Sequence, residues 1–211
     1  MSPQDGAQGQ ARAERPLLLD LFAGAGGSAM GYYLAGFQVV GVDNCPQPRF
    51  PFEFLQADAL KYVAEHGQEY DIIHASPPCQ WASRATAWRG DRQSHPNLIP
   101  ATRAALDSLG NVPYIIENVR EARFHLKSPF MLCGTMFGEN YQSHRYFEIS
   151  HFPVAFSPAT CHHSINNVSR DHGKKYPEST LRDSLGVPWM TVHEARQAIP
   201  PAYTYWIGIR L

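Results

Sequence analysis

Residues 16–43 read PLLLDLFAGAGGSAMGYYLAGFQVVGVD, and their order decides the fold. PLLLDLF is a short continuous apolar run that ends at AGAGG, the pattern of a buried strand feeding a glycine turn. SAMGYYLAG reads as a helix of about two turns, and FQVVGVD as a second strand ending in Asp43. Strand, glycine turn, helix, strand and acid make a βαβ unit.

The pattern continues outward. FEFLQAD predicts a third strand, ALKYVAEHG a helix closed by Gly67, and YDIIHAS a fourth strand. Residues 79–97 show little periodicity and predict a long loop. LIPATRAALDSLG predicts a helix, VPYIIENV a fifth strand and HRYFEIS a later one. Strands alternating with helices predict a parallel or mostly parallel doubly wound α/β sheet, with ligands at the carboxyl ends of its strands. From about 151 to 186, His, Ser, Asn and Pro rise and periodicity fades, the composition of an inserted recognition segment or of an irregular connection. Order returns in TVHEARQAI, where Thr191 and Glu194 have capping-box spacing ahead of a Pro-Pro break and AYTYWIGIRL.

With 211 residues the chain can bury one substantial core, which predicts a single domain over 16–211 behind a disordered tail over 1–15. The apolar and charged fractions, 44% and 18%, are those of a soluble globular protein, and no apolar run approaches the length of a membrane span. The opening MSPQDGAQGQARAERP has no apolar core of the secretory kind. Cys45, Cys79, Cys133 and Cys161 follow no disulfide framework, so reduced thiols in a cytoplasm are expected. A formal net charge of −1 gives no global attraction to polyanions. Basic residues that touch nucleic acid would have to be local, as in SRATAWRGDR, VREARFHLK and SRDHGKK.

Gly24, Gly26 and Ala29 have the G-x-G-x-x-G/A spacing, and Asp43 follows Gly24 by nineteen residues. Glycine permits the tight turn and close backbone approach, while an acid at the second strand end can take both ribose hydroxyls. The pattern fits a nucleoside cofactor, NAD included, or a plain tight turn. Asp58 stands where a carboxylate could accept from an adenine amine, and equally where it caps the helix from Ala59. Taken alone, the cap leads. Cys79, after two prolines, could be a small buried hydrophobe or a nucleophile at a strand's carboxyl end. The ENV strand end favours the nucleophile, because it brings Glu117 and Asn118 to the same rim.

Together these segments resemble the DNA cytosine C5 methyltransferase family. LLDLFAGAGG is similar to its first motif, Asp43 and Asp58 to its acidic second and third positions, and SPPCQ to its Pro-Cys-Gln motif. ENV, SPFMLCGTMFG, HRYFEIS and AIPPAYTYWIG resemble the later motifs in the family's order, from about Pro16 to Leu211. The resemblance implies a Rossmann-like doubly wound, mostly parallel sheet of the S-adenosylmethionine-dependent methyltransferase type. It also implies methyl transfer to C5 of cytosine in double-stranded DNA, with S-adenosylhomocysteine as product. The cofactor would be held by Phe22, Ala23, Gly24, Gly26, Gly27, Asp43, Asn44, Asp58, Ala59 and Pro78. Attack of the Cys79 thiolate on C6 would make C5 enamine-like, with Glu117 contacting N3 and the exocyclic amine. Asn118 would anchor the loops around Cys79. Arg145 would hold the base or its sugar-phosphate, unless it pairs with Glu117 or Glu148.

Because the target carbon is stacked inside a duplex, the reaction implies base flipping. Residues 81–96 resemble the family's closing loop. There Trp81 or Trp88 would fill the gap or pack the loop, and Arg84, Arg89 and Arg92 would hold phosphates, with Lys174 and Lys175 further along. Three departures stand out. Arg196 and Gln197 occupy the place of the family's Gly-Asn, and only Arg145 of an arginine pair survives in Ser143, His144, Arg145. About forty residues replace a full recognition domain between the Arg-bearing strand and the closing motif. The third implies a short recognition site in residues 151–186, an economy that resembles small phage-encoded members.

Cys161, His162, His163 and His172, with His151 nearby, show no paired ligand spacing, so a polar DNA-facing loop is expected there and no metal is assigned. A monomer is expected. Two other readings stay open: an enzyme for RNA or free cytosine nucleotide, and a noncatalytic DNA-binding accessory protein, against which Cys79 and Glu117 argue.

Overall fold

A computed structural model describes residues 15–79, 96–151, 159–164, 166–169 and 178–211. Strands β1 (Leu17–Leu21), β2 (Gln38–Asp43), β3 (Glu53–Gln56), β4 (Ile72–Ala75) and β5 (Tyr114–Val119) pair in parallel. Strands β6 (Phe130–Leu132) and β8 (Arg145–Ile149) complete the sheet, with β8 antiparallel to both β5 and β6. The seven-stranded order is β3-β2-β1-β4-β5-β8-β6, a Rossmann-like doubly wound sheet with one reversed strand near its edge.

Burial on both sides explains the unbroken apolar runs of the central strands. Successive residues of β1 point to opposite faces, and Leu18 and Leu19 are both fully buried, each in a different core. One face meets α2 (Ala59–His66) and α3 (Ile99–Asp107) through Ala59, Val63, Ile99 and Leu106. The other meets α1 (Gly27–Leu34) and α6 (Pro201–Gly208) through Ala29, Tyr32, Tyr203 and Trp206. Taking a Val, Ile or Leu side chain such as these from water contributes about 1.5–3 kcal/mol. Helices α1 and α6 approach closely because Gly31 presents no Cβ: one there would overlap Thr204 Oγ1 and the Pro201 carbonyl.

A third, smaller core lies over the glycine turn. Ala25, Tyr141, Val168, Leu181, Leu185, Val187, Met190 and Ala195 form it. Its frame is a two-stranded parallel sheet, β7 (Tyr141–Gln142) with β9 (Val168–Ser169), plus α4 (Glu178–Leu185) and α5 (Val192–Gln197). The sequence predicts irregular chain as far as 186, yet α4 occupies the end of that stretch. Leu181 and Leu185 are one i, i+4 pair, too short a run to stand out as a period, and their burial gives the helix its purpose. At α5 the expected capping box is present, with Thr191 Oγ1 accepting from the Glu194 amide and the Glu194 side chain accepting from the Thr191 amide.

Candidate active site

The chain runs outward from β1 to β2 and β3 on one side, and from β4 to β5 on the other. The switch point between β1 and β4 is where such a sheet opens a crevice at its carboxyl ends. The glycine turn leaves β1 there, Ser76 to Cys79 leave β4, and Glu117 and Asn118 lie at the end of β5.

The turn is tight and left-handed at three residues, Phe22 (φ 58°), Gly24 (φ 50°) and Gly26 (φ 84°). Asp43 braces it: one carboxylate oxygen accepts from the Gly24 amide at 3.0 Å and the other from the Cys45 amide at 3.0 Å. A Cβ at Gly26 would press on Phe50 and Pro51, whereas one at Gly24 would meet nothing within 4 Å, so the turn is open over Gly24. Ala23 and Gly27 are buried, Asn44 is exposed, and Pro78 and Asp43 are half-buried. Asp58 caps α2 by accepting from the Lys61 amide at 2.9 Å, and it is exposed. Ala59, the first residue of α2, is buried in the core.

Antiparallel pairing brings the beginning of β8 to the carboxyl end of β5, with Arg145 opposite Val119 and Phe147 opposite Glu117. Glu117 and Arg145 therefore share a face as diagonal neighbours. Their side chains are 6% and 8% exposed, and Arg145 Nε lies 3.4 Å from Glu117 Oε1. Burial is the largest single influence on the Arg145 guanidinium and pushes it down, but Glu117, Tyr141, Cys79 and Tyr203 together outweigh it, and the group is held above its ordinary range. The alternative partner Glu148 is taken by Arg103, whose Nε and Nη2 donate to its two oxygens at 2.8 and 2.5 Å. Asn118 Nδ2 donates to the Pro77 carbonyl at 2.9 Å, which ties the loop carrying Cys79 to β5. Cys79 is half-buried and lies within electrostatic reach of Arg145. The carbonyl of Gln197 is 3.5 Å from Arg145 Nη2, while its side chain meets His193.

Several supporting residues escape sequence reasoning. Asp20 is fully buried in β1, where burial lifts its carboxyl to about 8 against a 2.6 Å hydrogen bond from Ser28. His74 lies between Tyr32 and Ser76, at 2.9 Å from each, and burial lowers it to about 3. Trp189 Nε1 donates to the Ala25 carbonyl at 2.9 Å, which fastens the third core to the glycine turn, and Arg49, between β2 and β3, grips Glu194 of α5 with two bonds of 2.7 Å. An acid and a histidine inside apolar strands are visible as oddities in DLF and IIHAS; the Trp189 and Arg49 contacts join distant segments and leave no local signal.

Arg84, Arg89, Arg92, Trp81 and Trp88, like Lys174, Lys175 and His172, lie outside the described residues. Among the residues set aside as a polar loop, Cys161 and His163 converge with Cys133 and His144, whereas His162 is exposed and His151 bonds Ser150. Among the described residues no helix is long and apolar enough to cross a membrane.

No family model matches the chain. It is 34% identical over 109 residues to the Type II methyltransferase M.AplI of Arthrospira platensis, a match covering 49% of this chain and 31% of that protein. It is 29% identical over 136 residues to the Type II methyltransferase M.HgiDI of Herpetosiphon aurantiacus, covering 58% and 43% respectively. Among solved structures, the Dnmt2 methyltransferase of S. pombe superposes with a TM-score of 0.47 and 18% identity over 81% of this chain and 59% of that one. The sequence relatives of this chain are thus Type II methyltransferases, and the chain spans less than half the length of either.

Proposed function

We propose that the chain is a DNA cytosine C5 methyltransferase that uses S-adenosylmethionine and forms a covalent Cys79 adduct with a flipped base. The observation that carries the reading is the meeting of the Asn118-anchored Cys79 loop with the buried Glu117–Arg145 pair, at the carboxyl end of the sheet that also holds the open glycine turn. The likeness to two Type II methyltransferases supports it.

The glycine turn suits the cofactor. Space over Gly24 admits close approach to the backbone, and Asp43, half-exposed at the end of β2, keeps acceptor capacity for a ribose hydroxyl. Asn44, Asp58 and Pro78 would line the remainder, and Phe22, Ala23, Gly26, Gly27 and Ala59 fix the shape. When bound, S-adenosylmethionine supplies an electrophilic methyl group.

The protein's part is to make C5 of cytosine nucleophilic. Cys79 as a thiolate adds to C6, and Glu117, a carboxylate beside Arg145 in the free protein and transiently protonated once the base is bound, donates to N3 so that the electrons gained by the ring are stabilised. Arg145 holds Glu117 in place and supplies positive charge beside the thiolate, which favours its ionised form. After methylation, loss of the C5 proton to a base or water expels Cys79 and restores the ring. A duplex target has to be flipped for these contacts to form.

Incubation with labelled cofactor and duplex DNA, tRNA or dCMP tests the substrate class. Label entering DNA is expected; label entering only RNA or nucleotide overturns the DNA reading. A duplex carrying 5-fluorocytosine should trap wild-type protein covalently and leave Cys79→Ala untrapped, with cofactor binding retained. Binding without an adduct in the wild type would favour the accessory role instead.

A further inference from the structure

The four groups that meet outside the active site come from three places in the fold. Cys133 follows β6, His144 directly precedes β8 and its Arg145, and Cys161 and His163 belong to the segment between β8 and β9. Their ligand atoms all lie within 4.8 Å of one another. His163 Nε2 stands 3.3 Å from Cys133 Sγ, 2.9 Å from Cys161 Sγ and 3.2 Å from His144 Nε2, and Cys161 Sγ is 3.5 Å from His144 Nε2.

Hydrogen bonding alone cannot satisfy this cluster. A neutral imidazole nitrogen carries either one hydrogen or one lone pair, so His163 Nε2 serves one of its three neighbours at a time. A central cation serves all four ligands at once. With Zn–S near 2.3 Å and Zn–N near 2.0–2.1 Å, the S···N and N···N edges of a tetrahedron come to about 3.5 Å and about 3.4 Å. The four distances above, 2.9–3.5 Å, fall at or inside those edges, and the two remaining pairs lie within 4.8 Å.

We propose that Cys133, His144, Cys161 and His163 bind one structural Zn²⁺ as a tetrahedral Cys2His2 site. Two thiolates and two imidazoles in a closed tetrahedron match zinc rather than the oxygen-seeking divalent cations. Thr135 supplies a supporting contact, with Oγ1 3.5 Å from each of the two sulfurs. The cation fastens the segment around Cys161 to the strand ends of the main sheet, where a stretch this short has little core of its own. Its ligand His144 is the neighbour of Arg145, so the same ion fixes the start of the strand that carries the buried arginine. The inference stands on this geometry and is independent of the methyl-transfer reading.

The test is metal analysis of the whole chain produced in zinc-supplemented medium. About one zinc per chain is expected, and Cys161→Ser and His163→Ala should each retain less than about a tenth of it. Replacement by Co²⁺ should give the intense visible bands of a tetrahedral site with thiolate charge transfer. Thr135→Ala keeps every ligand and should weaken zinc about 10-fold in chelator competition. Wild-type protein with a native circular dichroism spectrum, less than about a tenth of an equivalent of zinc and no tetrahedral cobalt spectrum would overturn the proposal. Full zinc retention by both ligand variants would overturn it equally.

Discussion

Glu117 and Arg145 are nearly inaccessible, and their pairing makes each one's chemistry depend on the other. Under the proposed mechanism Glu117→Gln keeps shape but cannot exchange a proton with the ring, and turnover on duplex DNA should fall about 10²–10⁴-fold. Equal turnover by the variant would remove Glu117 from the chemistry. Asp20 permits a second test, unrelated to substrate. Its carboxyl titrates at about 8 in the fold because burial disfavours the charge, whereas an unfolded aspartate titrates near its ordinary value of about 3.9. Between those values the native state holds a proton that the unfolded chain has released. The stability Asp20 contributes is thus fully present below about pH 4 and is lost as pH rises through about 8. His74, lowered to about 3, runs in the opposite sense, losing its contribution as pH falls, but it is common to wild type and variant. Asp20→Asn should therefore gain stability relative to wild type from pH 5 to pH 8 in urea unfolding. Parallel profiles would show that the carboxyl is already ionised in the fold.

At the scale of elements, the contact between α1 and α6 depends on the missing Cβ of Gly31. Gly31→Ala improves helix propensity by about 1 kcal/mol, yet the methyl meets a hydroxyl and a carbonyl of a packed helix. A net loss of about 1–3 kcal/mol in thermal or urea unfolding is expected. Thr191→Ala removes half of a capping box at α5 and should cost about 1 kcal/mol, since the Glu194 amide loses its acceptor. What was legible among the elements follows from the range of the signal. The run PLLLDLFAGAGGSAMGYYLAGFQVVGVD specifies β1, α1 and β2 because period and turn chemistry are local. The direction of β8 is not local: HRYFEIS reads as a strand in either sense, and only its pairing with Glu117 and Asn118 makes it antiparallel. The two-residue strands β7 and β9 are too short to carry a period at all.

For the whole molecule, ligands couple to stability. S-adenosylmethionine at about 100 times its dissociation constant should add about 2.7 kcal/mol to unfolding, raising Tm in a concentration-dependent way. Gly24→Val should abolish the shift, because a branched side chain at positive φ distorts the turn and fills the space above it. An undiminished shift would move the cofactor elsewhere. Bisulfite sequencing of a plasmid exposed to the protein should show methylation in a short sequence context.

The sequence by itself determined the doubly wound core, the glycine turn and the candidacy of Cys79, Glu117, Asn118 and Arg145, since strand periods, turn residues and motif order are properties of neighbours along the chain. The tertiary structure alone decided that Arg145 faces Glu117 while Glu148 belongs to Arg103. It alone packed a third core onto the glycine turn and drew Cys133 and His144 to Cys161 and His163. Those arrangements depend on the register of strands and the crossing of distant segments, and packing fixes both only once the chain has folded.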